Sequence, residues 1–325
     1  MMREVIAAIR KHKNFLISAH INPEGDSLCS QLAMKELLAA LGKKAVIVNH
    51  DPVPDHYKFL PGIYGLSTDL TRKVDFDAAL ILDCPTLKRV GDVAGMIGKD
   101  KTIINIDHHI SSEKFGDVNW VDPDASSTGE MVYKLFKEMK VPLTKEIALS
   151  LYIAILTDTG SFNYDNTSAI THEIAGDLLG YGLEPGSVSE SVYERRTLID
   201  IKLLGLVLST LKVNKTGEIA YLAITRKMIS ETGADISKSE GFVNYARSIE
   251  GVKVAALFKE DMKNSGKINV SFRSKSGADV NKIASFFGGG GHVKASGCIL
   301  EGKLADVEAK VIAKIEELLK GKGRS

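Results

Sequence analysis

Acidic and imidazole side chains follow an apolar run near the start of the sequence. His20 comes directly after the run FLISA, with Glu24 and Asp26 a few residues further on in the segment HINPEGDS. Carboxylate and imidazole groups suit a hard or borderline cation such as Mn²⁺ or Mg²⁺ better than structural zinc, which prefers thiolates. Taken alone, the segment fits two interpretations equally well: metal binding, or a helix cap at Asp26 beside a buried histidine.

Two further apolar runs end in comparable groups. Asp83 follows AALIL, and Asp107, His108 and His109 follow TIINI. A lone carboxylate such as Asp83 is most often a turn or cap residue, whereas three adjacent titratable groups after a buried strand have no common structural use. Carboxylates and imidazoles gathered at one edge of a parallel sheet would repel one another or stay idle without a divalent cation. The pattern therefore predicts a metal-dependent hydrolase.

Asp158 is a further candidate ligand, in the segment LTDTGSF near the end of an apolar helical run. As a purely structural residue it would accept hydrogen bonds at a helix terminus, where its negative charge opposes the helix dipole. This conflict favours a role for Asp158 as a metal ligand.

A glycine-rich element, FFGGGGHVKASG, lies later in the chain. Its glycines let the backbone approach an anion and offer N–H groups, while Lys294 and the nearby Arg273 could supply positive charge. The spacing fits neither a Walker loop nor a dinucleotide fingerprint. Glycines alone indicate a flexible hairpin loop, and the embedded His292 shifts the interpretation towards ligand contact.

The composition restricts the class of protein. Of 325 residues, 42 are basic and 41 acidic, so the net charge is only +1. This balance argues against a protein that coats long nucleic acid and favours a local anion pocket for a short or small phosphorylated ligand. Three scattered cysteines without a CxxC pair indicate neither disulfides nor structural zinc. With no signal peptide and no apolar run of roughly 18 residues, we expect a soluble, cytoplasmic protein without membrane contact.

Strand-like and helix-like segments alternate in the first half, which predicts an α/β fold with a doubly wound, mostly parallel sheet. The later part has its own alternation of strands and helices. We expect an N-terminal catalytic domain over residues 1–190, a helical linker over 191–214, and a smaller C-terminal α/β domain over 215–325, across a cleft from the first. The length of the chain, 325 residues, also favours two compact domains over one.

Taken together, HINPEGDS, ILDCP, IDHH, LTDTGSF and GGGGHVKASG resemble the DHH phosphoesterase superfamily, in the expected order over nearly the whole chain. In its length and in its GGGGH element, the chain is similar to proteins of the NrnA-like branch, in which a DHH domain precedes a DHH-associated domain. The resemblance implies a site with two Mn²⁺ ions, Mg²⁺ being the alternative. It also implies hydrolysis of short 5′-phosphorylated oligoribonucleotides (nanoRNA) to mononucleotides, and dephosphorylation of 3′-phosphoadenosine 5′-phosphate (pAp).

The resemblance also implies roles for individual residues. It implies that two metal positions share the ligand Asp83, one completed by His20 and Glu24 and the other by Asp26, His108 and Asp158. It implies that His109 is the general acid or transition-state stabiliser, and that Asp107 is a ligand or an orienter of the histidines. The residues implied to hold the terminal phosphate and nucleotide are Arg273, Gly290, Gly291 and His292. One position departs from the family pattern, since Glu24 stands where the family usually has Asp.

Several alternatives stay open at this point. A cyclic- or linear-dinucleotide phosphodiesterase would use the same chemistry and differ only in pocket shape. A catalytically weakened nucleotide-binding regulator is the alternative from another class, with Glu24 as the first sign of lost activity. The oligomeric state is also open, with a homodimer as one alternative.

Overall fold

The computed structural model describes residues 1–194, 196–239, 241–275, 278–291 and 293–321. The chain divides into two compact units, Met1–Arg195 and Arg196–Ser325. The predicted α/β class is confirmed, since each unit contains a sheet with helices packed on it. Among the helices of the described residues, none combines the length and the apolar character needed to cross a bilayer.

The sheet of the first unit is parallel throughout. Its strands are β1 (Asn14–Ser18), β2 (Lys44–Val48), β3 (Leu66–Ser67), β4 (Ala78–Leu82), β5 (Thr102–Asp107) and β6 (Val118–Val121). Their spatial order is β3-β2-β1-β4-β5-β6, and every neighbouring pair runs parallel. The strand order reverses between β1 and β4. In open parallel sheets such a reversal opens a crevice at the carboxyl ends of the strands, where ligands bind.

The helices of the first unit carry its core. They are α1 (Met2–Lys11), α2 (Gly25–Ala40), α3 (Thr128–Glu138), α4 (Lys145–Asp158), α5 (Ala169–Leu179) and α6 (Pro185–Tyr193). Along β1, Phe15 and Ile17 belong to the cluster that contains the apolar side chains of α2, α3 and α4, while Leu16 belongs to a second cluster. This alternation is the period of two expected for a strand that is buried on both faces.

Close packing joins the helices that start and end at the carboxyl edge of the sheet. A Cβ atom added at Gly129 in α3 would lie 2.4 Å from the Cβ of Ala154 in α4. A Cβ added at Gly25, the first residue of α2, would lie 2.5 Å from Oγ1 of Thr157. These glycines therefore let three helix ends converge on one point.

The second unit has a mixed sheet. Its strands are β7 (Lys212–Val213), β8 (Ile219–Ile224), β9 (Val254–Glu260), β10 (Lys267–Ser274), β11 (Gly290–Gly291) and β12 (Ala295–Glu301), in the order β11-β12-β10-β9-β8-β7. The β8–β9 pair is parallel and the other neighbours are antiparallel. Its helices are α7 (Leu198–Leu208), α8 (Arg226–Thr232), α9 (Val243–Ser248), α10 (Val280–Phe286) and α11 (Leu304–Gly321).

The contact at Gly129 predicts a stability effect. The substitution Gly129→Ala is expected to destabilise the first unit by about 1–3 kcal/mol, because the added methyl group overpacks the α3–α4 contact. Thermal and urea unfolding followed by circular dichroism measure the change. The control is Gly176→Ala in α5, where an added Cβ meets no described atom within 4 Å and where we expect about 0.4–1 kcal/mol of stabilisation. Equal effects of the two substitutions would contradict the packing argument.

Candidate metal centre

The titratable residues singled out in the first unit converge at the carboxyl edge of its sheet. His20 lies two residues beyond β1, Asp83 directly follows β4, and Asp107 is the last residue of β5. Two groups of possible metal ligands form there, each with its donor atoms within 4.8 Å of one another. One group is Asp83, His108 and His109, and the other is Asp26, His108 and Asp158. The strand order reverses between β1 and β4, so the cluster occupies the crevice expected for a ligand.

Asp83 lies among three imidazole rings. Its Oδ2 is 3.4 Å from Nε2 of His20, and its Oδ1 is 3.6 Å from both Nε2 of His108 and Nδ1 of His109. The hydroxyl of Thr128 also donates to Oδ1 at 3.3 Å. The two carboxylate oxygens therefore face different histidines.

Asp26 is held by the beginning of a neighbouring helix. Its Oδ2 accepts a hydrogen bond from the backbone N–H of Thr128 at 2.7 Å, and its Oδ1 accepts from the N–H of Gly129 at 2.8 Å. The hydroxyl of Ser30 donates to Oδ1 at 2.9 Å. Unpaired N–H groups and the positive end of the helix dipole stabilise an anion at a helix N-terminus. The α3 terminus thus fixes a carboxylate that belongs to α2.

His108 and Asp158 face each other across the second group. Nε2 of His108 is 3.4 Å from Oδ2 of Asp158 and 3.9 Å from Oδ2 of Asp26, while its Nδ1 lies 3.3 Å from the carbonyl oxygen of Ala125. Asn166 orients Asp158, since its Nδ2 donates to Oδ2 of Asp158 at 3.3 Å and to the carbonyl oxygen of Ser126 at 2.8 Å. Asn166 therefore ties the end of α4 to the segment that precedes α3.

Asp107 is fully buried and acts on His109. Its Oδ1 accepts hydrogen bonds from Nδ1 of His109 at 2.6 Å and from the backbone N–H of the same residue at 3.2 Å. A carboxylate bonded to Nδ1 fixes the proton on that nitrogen and the orientation of the ring. Oδ2 of Asp107 is buried and has no hydrogen-bond partner among the described residues.

Left-handed backbone conformations accompany the ligand-bearing turns. Asp83 itself has φ 53°, and Asn22, between His20 and Glu24, has φ 56°. Ser161 and Phe162, which follow Asp158, both have φ 62°. A residue other than glycine in this region costs about 1–3 kcal/mol and persists only where the surrounding structure enforces it. The strain is found in three turns that carry the candidate ligands.

Electrostatic coupling moves protons onto two of the histidines. Burial alone would lower the pKa of His20, but the contact with the Asp83 carboxylate and its charge outweigh burial and raise that pKa to about 9. For His108, burial is likewise outweighed by the charges of Asp158 and Asp83, and the pKa rises to about 9. Burial opposes ionisation of Asp83, yet its contact with His20 and the charges of the three histidines hold its pKa below the usual range.

The other two carboxylates of the ligand groups, Asp26 and Asp158, resist ionisation. Burial is the main cause that raises the pKa of Asp26, and the negative charges of Asp83 and Asp158 raise it further. Burial also raises the pKa of Asp158 to about 6, against the opposing charge of His108. Bound protons therefore compensate the negative charges of the cluster, as a bound cation would do. Metal ligands must be deprotonated, so a cation would displace such protons on binding.

The donor set fits a divalent cation. Ligand atoms about 2.1 Å from an ion and at right angles lie about 3 Å apart, and the closest His108–carboxylate separation is 3.4 Å. This is longer than the about 2.7–2.9 Å of a charge-assisted hydrogen bond. Every donor in the two groups is a carboxylate oxygen or an imidazole nitrogen. Such a set suits Mn²⁺ or Mg²⁺ and lacks the thiolates of a structural zinc site.

Glu24 is more exposed than the other candidate ligands. It is exposed at the N-cap of α2, where its backbone N–H donates to Oγ of Ser27 at 2.9 Å. Among the described residues, its carboxylate belongs to neither group. The Asp predicted at this position by family resemblance is replaced by a longer side chain, and the metal-binding role of Glu24 stays a prediction.

Sequence reasoning missed the residues that orient the ligands. Thr128 and Gly129 could have been found, because Ser127 and Glu130 have the spacing of a helix N-terminus, and such a terminus binds anions. Oγ of Ser127 does accept a hydrogen bond from the N–H of Glu130, at 3.1 Å. For Asn166, the sequence offered no signal.

Part of the glycine-rich element in the second unit packs closely against β12. Gly290 and Gly291 form β11, which pairs with Gly297 and Ser296 of β12. A Cβ at Gly289 would lie 2.1 Å from the carbonyl oxygen of Gly297, and a Cβ at Gly291 2.6 Å from that of Ala295. Close approach to β12 therefore requires glycine at these two positions, independently of any anion.

The structure describes only some of the residues predicted to bind substrate. Arg273 lies half-buried on β10, and its Nη1 donates to the carbonyl oxygen of Phe272 at 3.0 Å. Gly290 is exposed. His292 lies outside the described residues. The roles of these residues stay predictions.

Comparison with known proteins finds a family model that matches each unit. Residues 14–155 match the DHH family, N-terminal domain, and residues 217–321 match the DHHA1 domain. A Thermus thermophilus protein named bifunctional oligoribonuclease and PAP phosphatase NrnA is 35% identical over 93% of this chain and 88% of its own length. A Bacillus subtilis protein of the same name is 29% identical over 98% of this chain and 99% of its own length.

A solved structure shares the fold. The crystal structure of an exopolyphosphatase-related protein from Bacteroides fragilis is similar with a TM-score of 0.91 and 27% identity, covering 100% of this chain and 97% of that one. Together with the buried carboxylate and imidazole cluster, these similarities establish the class of enzyme. The chain belongs to the DHH phosphoesterase superfamily of metal-dependent hydrolases, within its NrnA-like branch.

Proposed function

We propose that this enzyme hydrolyses short 5′-phosphorylated oligoribonucleotides to mononucleotides and removes a phosphate from pAp, with two Mn²⁺ ions in its site. The observation that carries the proposal is that Asp26, Asp83 and Asp158 all lie in ligand groups that share His108, with only oxygen and nitrogen donors. The names of the Thermus thermophilus and Bacillus subtilis relatives supply the two substrate classes. The near-zero net charge agrees with short substrates.

The residues that would hold the ions divide into two sets that share Asp83. The first set is His20, Glu24 and Asp83, and the second is Asp26, Asp83, His108 and Asp158. Divalent ions at such a site supply a solvent nucleophile at neutral pH and neutralise charge on the phosphate. Asp26 is fixed by two backbone N–H groups and Asp158 by Asn166, so these ligands are oriented before any ion binds.

His109 is the proposed proton donor to the leaving oxygen. Asp107 holds the proton on Nδ1 at 2.6 Å, which leaves Nε2 as the nitrogen that can take up and release a proton in the reaction. A buried carboxylate that is hydrogen-bonded to an imidazole also orients the ring. Asp107 thus acts through His109 and would not contact the substrate.

The second unit is proposed to hold the substrate's terminal phosphate and nucleotide, through Arg273, Gly290, Gly291 and His292. Arg273 supplies a guanidinium group, which recognises phosphate by two parallel hydrogen bonds. Gly290 is exposed, and an added Cβ there would have only Oδ1 of Asn281 within 4 Å, at 3.9 Å. Its backbone is therefore accessible to a ligand.

The first test measures release of mononucleotide and phosphate from pAp, a 5′-phosphorylated dinucleotide series, cyclic and linear dinucleotides, and a twenty-nucleotide RNA, with and without Mn²⁺. We expect turnover of pAp and of the short oligonucleotides, dependent on Mn²⁺ and lost on chelation. Equal rates on two-nucleotide and twenty-nucleotide RNA would contradict the preference for short substrates. A preference for cyclic dinucleotides over pAp would replace the proposed substrates.

Asp83→Asn is expected to lower activity at least about 10²-fold, because the shared ligand is lost and each ion supplies several kcal/mol of charge stabilisation. Asn keeps the shape of the side chain and tolerates the left-handed backbone, so the fold should be retained. Metal content is measured by mass spectrometry and activity with pAp. The matched control is Asp75→Asn, an exposed carboxylate near the amino end of β4, which should leave both unchanged. Full activity of Asp83→Asn would sink the assignment.

Asn166→Ala is expected to reduce Mn²⁺ affinity or activity about 10- to 100-fold, the usual effect of removing a group that orients a metal ligand. Titration of the metal-free enzyme with Mn²⁺ measures the affinity. Asn163→Ala, an exposed residue of the same loop, is the control and should behave like the wild type. If the two variants bind Mn²⁺ equally well, Asn166 does not orient Asp158 for metal binding.

Arg273→Ala is expected to raise KM for pAp about tenfold or more, through loss of charge-assisted hydrogen bonds to phosphate. The manganese content should not change, because Arg273 belongs to the second unit. Lys263→Ala, at an exposed lysine of the same unit, serves as the control for loss of positive charge. Loss of bound manganese in Arg273→Ala would contradict this division of roles.

A further inference from the structure

A small cavity lies within the first unit, at the same edge of the sheet as the candidate metal centre. It has a volume of about 200 Å³ and lies at the ends of β2 and β3, where Asn49 follows β2 and Leu66 and Ser67 form β3. Since β2 neighbours β1 on the side away from β4, the cavity shares the carboxyl edge that carries the candidate ligands. Neighbouring strands lie about 4.8 Å apart, so it is one to two strand spacings from the end of β1.

A hydrogen bond connects the cavity to the loop that carries candidate metal ligands. Asp51, which lines the cavity, accepts through Oδ2 from the backbone N–H of Asn22 at 2.7 Å. Asn22 lies two residues from both His20 and Glu24. A group held in the cavity would therefore lie next to the loop that begins at the metal centre.

The cavity walls combine apolar and polar groups. Val53, Ile63 and Leu66 are apolar, and Tyr64, which also lines the cavity, is 83% exposed. Exposed aromatic rings serve as stacking platforms for the bases of single-stranded nucleic acids. Pockets for drug-sized ligands measure about 300–1,000 Å³, so this one fits a smaller group, such as one heterocyclic ring system.

Asn49, which lines the cavity, carries a buried amide. Only 3% of its surface is exposed, and neither Oδ1 nor Nδ2 has a hydrogen-bond partner among the described residues. A buried amide without partners costs free energy, so native proteins rarely retain one without a reason. A carboxamide offers one acceptor beside one donor, which matches the N6–H and N7 edge of adenine.

We propose that this cavity is a purine-base subsite, in which Tyr64 stacks on the base and Asn49 reads its edge, next to the phosphate that is cleaved. The inference rests on the proposed function, because it names the part of the nucleotide substrate that the catalytic unit recognises. It adds, within the first unit, a contact to the base.

The test compares kcat/KM for pAp with that for its base-free analogue, the 3′,5′-bisphosphate of the abasic ribose. In Tyr64→Ala we expect the ratio of the two values to fall about 5- to 100-fold, the usual effect of removing a stacking ring. Tyr64→Phe keeps the ring and should keep the ratio. Tyr245→Ala, another exposed tyrosine outside the cavity, is the control. An unchanged ratio in Tyr64→Ala, or an equal fall in Tyr245→Ala, would overturn the proposal.

The substitution Asn49→Leu tests recognition of the base separately from folding. Replacing a buried amide that has no protein partner by an apolar side chain of similar shape is nearly neutral or stabilising. We therefore expect an unchanged or higher Tm, together with a fall in the same ratio of about 5- to 100-fold. A lower Tm by several degrees, or an unchanged ratio, would show that Asn49 does not read a base.

Binding of adenosine distinguishes this proposal from the proposed function. Adenosine carries no phosphate, so saturation-transfer NMR with the full chain and no metal detects the base subsite alone. Transfer to the adenine protons in the wild type, lost in Tyr64→Ala, supports the subsite even if pAp is not hydrolysed, in which case only the proposed function fails. Hydrolysis of pAp without any adenosine signal that depends on Tyr64 would overturn the subsite alone.

Discussion

The first unit is organised around the free energy needed to bury several charged groups at one point. Five ionisable residues at this point are each at most 6% exposed. They are Asp26, Asp83, Asp107, His108 and His109. Buried charges persist only when other charges or hydrogen bonds compensate them. Two helix-terminal N–H groups, a threonine hydroxyl and the neighbouring imidazoles supply that compensation. The parallel sheet makes this arrangement possible, because the carboxyl ends of all its strands lie along the same edge.

Much of this arrangement followed from sequence because it depends on short-range patterns. Apolar runs that end in Asp or His predicted both the buried strands and the edge to which those residues belong, and β1, β4 and β5 were recognised in this way. The short strands β3 and β6 were not, since two and four residues are too few to show a period. Helix α4 was recognised as an apolar helical run that ends near Asp158, and apolar residues do cover nearly its whole circumference.

The orienting contacts could not be predicted, since they join residues far apart in the chain. The bond from Gly129 to Asp26 spans 103 positions, and that from Asn166 to Ser126 spans 40. No local pattern marks either pair. The glycine-rich element shows a different limit of sequence reasoning. Its composition was compatible with anion binding, yet the requirement for glycine at Gly289 and Gly291 comes from the proximity of β12, which only the three-dimensional structure reveals.

The left-handed residues have a consequence for protein engineering. Substitution of glycine for a strained residue such as Asp83 or Phe162 would relieve unfavourable backbone torsion. In this enzyme the same torsions set the direction of the turns at the carboxyl edge. A screen that selects for heat resistance alone would favour variants that relax these turns and lose turnover. Stabilising changes are therefore better sought on exposed helical positions remote from that edge.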